Sequence, residues 1–172
     1  MVTKKVKNNL GSTMIIWLIM ISLVFILLSA FFIDFANLYT NSKKIKSSVN
    51  LAVKAASLQI KEDAQLASGD FKIDDTKAYE AFMKILAHNL NLDEITLEPL
   101  ENSILYEKPI IREFEVINDT PREYISVTLN NAFKVKNSSV FAVIEFKIKT
   151  LFLSGNITVD KLSSSQLSTI YD

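Results

Sequence analysis

The 172-residue chain has no cysteine, three glycines and a single histidine. Without cysteine there can be no disulfide, no thiolate nucleophile and no cysteine-bound zinc. The glycines, Gly11, Gly69 and Gly155, stand far apart, which excludes a glycine-rich phosphate loop. A metal site needs three or more convergent ligands, so the lone His88 reads as a surface residue of a helix. Charge of one sign is also missing. Nineteen basic and 19 acidic residues balance, so no overall field draws the chain to nucleic acid, and no such partner is expected.

The chain does have one long apolar run, Met14 to Ile33, MIIWLIMISLVFILLSAFFI, about twenty residues without a charge. At ~1.5 Å of rise per residue such a helix is about 30 Å long, the thickness of a hydrocarbon core. A soluble core helix is rarely apolar all round for this length. Its two internal hydroxyls, Ser22 and Ser29, can bond back to the helix backbone; seven residues apart, they also mark a face on which helices in lipid could meet. The run exceeds the ~7–15 residues of a secretory h-region, and no A-x-A-like site closes it, so a retained membrane anchor is expected. Lys4, Lys5 and Lys7 before the span nearly tie with Lys43, Lys44 and Lys46 after it. A short basic tail has no reason to cross, whereas long C-terminal domains translocate largely regardless of charge. The reading is therefore a single-pass cell-membrane protein with its N-terminus in the cytoplasm and its body outside.

Beyond the anchor, nothing breaks a helix from Asp34 to about Ala67. Leu38, Ile45, Val49, Ala52 and Ala56 recur at spacings of seven, four, three and four, a narrow seam that can face another helix or its own domain. A turn at Ser68-Gly69-Asp70 follows. A second helix comes next, capped by Asp74 or Asp75, carrying Ala78, Phe82, Ile85, Leu86 and Leu90 on one face and ending near Asn89 to Asn91. The pattern then changes to period two. Ile110–Ile117 places Phe114 and Val116 opposite Glu113 and Glu115, and Asn118-Asp119-Thr120-Pro121 turns the chain. Tyr124–Leu129 aligns Ile125, Val127 and Leu129, with Phe133 and Val135 extending it past a bulge. Val140–Leu153 turns Ile144, Phe146 and Ile148 inward. Gly155-Asn156 makes a turn, Ile157–Val159 closes the sheet, and Ser163-Ser164-Ser165 belong to a loose tail. The fold class is α+β, with an antiparallel sheet packed on helix. The divisions are 1–13 (basic leader), 14–33 (transmembrane helix), 34–68 (helix extension) and 69–172 (small extracytoplasmic domain).

The leader KKVKNNLG ending at Gly11, the apolar helix after it, the segment Ile33-Asp34-Phe35-Ala36-Asn37-Leu38-Tyr39, and the run from Lys43-Lys44-Ile45-Lys46 to Ala52-Val53-Lys54-Ala55-Ala56 carry a family resemblance. Over about the first sixty residues the chain resembles the TadE/TadG-like minor pseudopilins of tight-adherence (Flp) pilus systems. The resemblance implies a pilin-like fold, leader cleavage after Gly11, and a non-catalytic role in assembling a surface pilus or related secretion apparatus. Membrane lipid and other pilin-like or pilus-assembly proteins, this chain itself among them, are the partners implied, with no cofactor. Five residues beyond Gly11, where such precursors usually carry glutamate, this chain has Ile16.

Asp34 is the most suggestive single residue: it either pairs with a lysine of a neighbouring subunit or marks where water begins. Glu113 and Glu115 share a strand face, a spacing compatible with paired-carboxylate catalysis but more often a solvated face. Asp74-Asp75 is explained by capping. Asn137-Ser138-Ser139 and Asn156-Ile157-Thr158 match the glycosylation pattern as short chance matches do. No constellation argues for an enzyme.

Overall fold

The computed structural model describes residues 10–61, 71–152 and 157–166. Helix α1, Leu10–Ser57, is a single unbroken helix of 48 residues, about 72 Å long at ~1.5 Å per residue. Gly11 lies in its first turn. Helix α2, Asp75–Leu90, starts where the Asp74 carboxylate accepts the Thr76 and Lys77 backbone N–H groups at 3.1 and 3.0 Å, satisfying donors that a helix start leaves free. It stops at Asn91, which takes the left-handed conformation (φ 56°) and lets the Leu92 N–H return to the Ala87 carbonyl.

Five strands follow: β1 Ile110–Ile117, β2 Arg122–Ser126, β3 Asn131–Val135, β4 Ser139–Ile148 and β5 Ile157–Gln166. Strands β1, β4 and β5 form an antiparallel sheet with β4 in the middle, while β2 and β3 form a separate hairpin. Both faces of β4 are covered. Ala142, Ile144, Phe146 and Ile148 join Ile45, Val49, Ala52, Val53 and Ala56 of α1 and Phe82 and Leu86 of α2 in the main core. On the other face Phe141 packs with Tyr124 and Phe133 of the hairpin and with Ile117 and Val135 in a second cluster. Phe114 of β1 stacks against Tyr79 and Phe82 of α2, so the helix pair lies on one side of the sheet. Each fully buried aliphatic or aromatic side chain contributes about 1.5–3 kcal/mol.

The α+β architecture, the long first helix, the capped second helix and the antiparallel sheet match the sequence reading. Several details differ. The first helix ends at Ser57, short of residue 68: the Ser57 hydroxyl donates to Lys54 O, and the chain turns so that Ile60 bridges Ile73. Three backbone bonds in the stretch, Gln59 N–H to Ala56 O, Lys61 N–H to Lys72 O and Asp74 N–H to Gln59 O, replace helical ones. Strand β4 stops at Ile148 rather than Leu153, because the Leu151 and Phe152 N–H groups bond to α1 instead of a ladder partner.

Phe133 and Val135 do not prolong β2; Asn130 (φ 48°) reverses the chain and β3 pairs back on it. Ile125 and Val127 therefore point outward, and Tyr124 and Ser126 face the sheet. The serines of the tail are part of β5, where their small side chains let α1 approach: Ser163 donates to Asn50 Oδ1 (2.7 Å) and Ser165 meets Ser57 (3.0 Å). Lys4, Lys5 and Lys7, Ala67, the turns at Ser68-Gly69-Asp70 and Gly155-Asn156, and Leu153 lie outside the described residues.

Candidate functional site

Helix α1 is two helices in one as far as its surroundings go. Every residue from Met14 to Ser29 is exposed, and so are Phe31, Phe32 and Ile33. From Ile45 the face turned to the domain is fully buried. Near its N-terminal end the helix is long and apolar enough to cross a membrane, and none of that stretch is covered by the rest of the chain. A soluble monomer leaves at most a few hundred Å² of contiguous apolar surface uncovered, far less than a helix of this length presents. The arrangement is consistent with a membrane anchor. Ser22 and Ser29 donate to Leu18 O (2.9 Å) and Phe25 O (2.8 Å), so neither hydroxyl needs a partner helix.

At the junction sits Asp34, one residue past the apolar run and fully buried. Its Oδ1 accepts the Leu151 N–H at 2.8 Å, and its two oxygens accept the Phe152 N–H at 3.2 and 3.0 Å. Charge-assisted bonds from backbone N–H groups hold a carboxylate firmly where water is scarce. To the two readings of Asp34 from sequence the structure adds a third role: the residue binds the turn after β4 of its own chain. The side chains of Leu151 and Phe152 meanwhile face out, 65% and 60% exposed. Sequence reasoning missed this pair because the turn is more than a hundred residues away; the one signal available was two large apolar residues ending a strand that had already filled its inward face.

The seam resolves in favour of its own domain. Ile45, Val49, Ala52 and Ala56 are buried in the main core, and Leu38 packs at its margin. This surface is occupied inside the chain and is not free to bind another copy. Gly11 lies apart from all of these residues, at the far end of the apolar stretch.

The remaining candidates have structural explanations. Partial desolvation by itself would raise the Glu113 carboxyl, yet hydrogen bonds from the Ser126 hydroxyl (2.6 Å), the Thr128 N–H (2.5 Å) and the Tyr124 hydroxyl (3.3 Å) outweigh it and hold the group below the usual glutamate range. Desolvation and the neighbouring Glu113 charge push the Tyr124 phenol up to about 12. Glu115 lies 3.8 Å from Arg122 instead. The two glutamates thus clip the hairpin to β1 rather than converge on one reacting centre. Arg112, where the β1 register shifts, bonds Glu145 across the ladder. Asp93 is held below its ordinary value by the Thr96 N–H and hydroxyl and the Ile95 N–H, a local turn motif.

Asp74 is the cap and Asp75 the first residue of α2. His88 lines an open hollow with Asn91, Asp93 and Leu100. Among the described residues no group of three or more His, Asp or Glu is placed to hold a metal ion. The Asn137 carbonyl accepts the Ser139 hydroxyl, while Asn156 lies outside the described residues.

No family model, curated protein or solved structure matches the chain. The functional reading therefore rests on the chain's own geometry.

Proposed function

We propose that the protein is a single-pass component of the cell membrane, its N-terminus cytoplasmic and its α+β domain outside, acting without catalysis as a pseudopilin-like subunit in assembling a surface pilus or related secretion apparatus. One observation carries the reading: a single continuous helix is uncharged and not buried by the domain over residues 14–33 and is the spine of a folded domain over 45–56. A mere tether has no need of helical continuity into the core. A subunit that must pass its position in the membrane to its head, or pack beside copies, does need it, because an unbroken helix transmits displacement and rotation rigidly. With the Leu38–Ala56 seam used internally, contacts between subunits fall to the apolar stretch itself.

The test uses the absence of cysteine. Single cysteines placed in full-length protein at successive positions from Leu18 to Leu28, oxidised in native membranes, should form dimers or mixed disulfides with a helical period. Cross-links absent at every position, in protein that stays in the membrane, would overturn the assembly role.

The second reading is an anchored binding module. It draws on the β2–β3 hairpin, where Ile125 and Val127 stand exposed beside an open hollow of about 490 Å³ lined by Arg112, Glu115 and Tyr124. Replacing Met14–Ile33 with an unrelated apolar span separates the two: a tether survives the exchange, an assembly helix does not.

A further inference from the structure

Asp34 is the first residue past the apolar run, so its carboxylate stands at the edge of the hydrocarbon, where an ion left among lipid chains is costly. It is buried against the backbone of residues 151–152 at 2.8 to 3.2 Å. That short distance fixes the turn's depth, since its backbone lies within about a hydrogen-bond length of the Asp34 carboxylate. Leu151 and Phe152 nevertheless face away from the domain, 65% and 60% exposed. On α1 itself Phe31, Phe35 and Tyr39 flank the same level and are also exposed, and the Lys43 ammonium lies 4.4 Å from the centre of the Tyr39 ring. Aromatic side chains backed by lysine are the usual lining of a membrane–water boundary.

We infer that Leu151 and Phe152 dip into the lipid interface beside the anchor, with Asp34 as the clamp that holds the turn there. The inference rests on the anchor reading and adds to it: the domain is fixed to the bilayer at two points and does not swivel freely on one helix. Lipid is the occupant because the patch continues, at one level, the apolar surface of the span.

The full-length protein, reconstituted in phosphatidylcholine vesicles, tests this. Single cysteines at Leu23, Val127, Leu151 and Phe152 would each carry a polarity-sensitive fluorophore, and lipids with a spin-label quencher near the headgroup or at mid-chain would report depth. Leu23→Cys reads the anchor; Val127→Cys, on an exposed turn of the hairpin, reads bulk water. The expected result is blue-shifted emission at 151 and 152, with severalfold stronger quenching by the headgroup-proximal label than at 127, and mid-chain quenching at 23. Quenching at 23 with 151 and 152 matching 127 would overturn the inference and leave the anchor standing. No quenching at 23 would overturn the anchor reading itself, and this inference with it. Blue-shifted emission at 152 that ignores the lipid quenchers but grows with protein density would assign the patch to a second copy, and so overturn lipid as the occupant. Adding Asp34→Ala should return the label at 152 to the behaviour of 127 while 23 stays quenched. Undiminished quenching at 152 in that variant would overturn the clamp.

Discussion

The two halves of α1 share one backbone and differ in everything around it. Between Met14 and Ile33 the side chains are apolar on every side and none is buried by the protein. Between Ile45 and Ala56 buried Ile45, Val49, Ala52 and Ala56 alternate with exposed Lys46, Asn50 and Lys54. The first pattern has no polar face to turn to water; the second has one face for water and one for a core. What decides the partner of a helix is therefore the angular spread of its apolar residues, not their number. Asp34 marks the change of surroundings, and the fold uses that same residue to fasten a distant turn.

The same substitution on either side of Asp34 gives the sharpest break of this comparison, and the largest effect. Val49→Asp puts an uncompensated charge in the fully packed core and is expected to prevent stable folding, at a cost of 3 kcal/mol or more by the ~3–5 kcal/mol typical of an unpaired buried charge. Val24→Asp should leave the domain's thermal unfolding unchanged and weaken membrane retention instead, by roughly 2.5–3.5 kcal/mol of insertion free energy. Circular dichroism melts and alkaline extraction of membranes read the two outcomes. A Val24→Asp protein with a disrupted domain would show that the halves are not independent.

Next in size is Phe82→Ala, which removes the ring between Phe114 and the core and should cost about 3–5 kcal/mol. A denaturation midpoint within error of wild type would mean that α2 does not complete the core on which the second half of α1 depends. Smaller still is Asp34→Ala. It leaves the Leu151 and Phe152 N–H groups to find water, at about 1–3 kcal/mol. Amide exchange at residues 151 and 152 should quicken while Ile45–Ala56 stay protected; no change at 151 and 152 would deny Asp34 its role at the junction.

Much of the fold was legible because its signals are local. The Asp74 cap, the three- and four-residue spacing from Ala78 to Leu90 and the left-handed Asn91 define α2 within its own sequence, and Ile144, Phe146 and Ile148 declare an inward face by alternation. The misreadings share a cause, a partner far away in sequence. Nothing near Ser57 announces that the chain will leave the helix to pair Ile60 with Ile73. The polar run Ser163-Ser164-Ser165 looks loose until the close approach of α1 supplies Asn50 and Ser57 as partners. Ile125 and Val127 share a face by alternation, and which face meets the sheet is decided only when Glu113 recruits Tyr124 and Ser126. Of the candidate site, the span and its boundary residue could be read directly, whereas the turn that Asp34 holds could not.

The smallest effect concerns the hairpin, the part of the domain farthest in character from the greasy half of α1, since polar contacts supply much of its attachment to β1. Because Glu113 is held below the ordinary glutamate value in the folded protein, the stability it contributes is complete above the unfolded value of about 4.3 and is lost as pH falls through the folded one. Tyr124 works in the opposite sense: raised from 10.0 to about 12, its contribution is complete below pH 10 and is lost as pH climbs toward 12. The hairpin should therefore be held most firmly between about pH 5 and 9, with looser attachment on both sides. Glu113→Gln keeps an acceptor but removes the charge, and should cost no more than about 1 kcal/mol, since the site is partly solvated. Exchange of the Thr128 amide, which the carboxylate accepts directly, gives the readout. In wild type its protection should fall as pH drops through the lowered Glu113 value, and in Glu113→Gln that acid dependence should vanish. An acid profile identical in both proteins would move the hairpin's attachment from the carboxylate to the Phe141 cluster beneath it, and make even this polar appendage an apolar one.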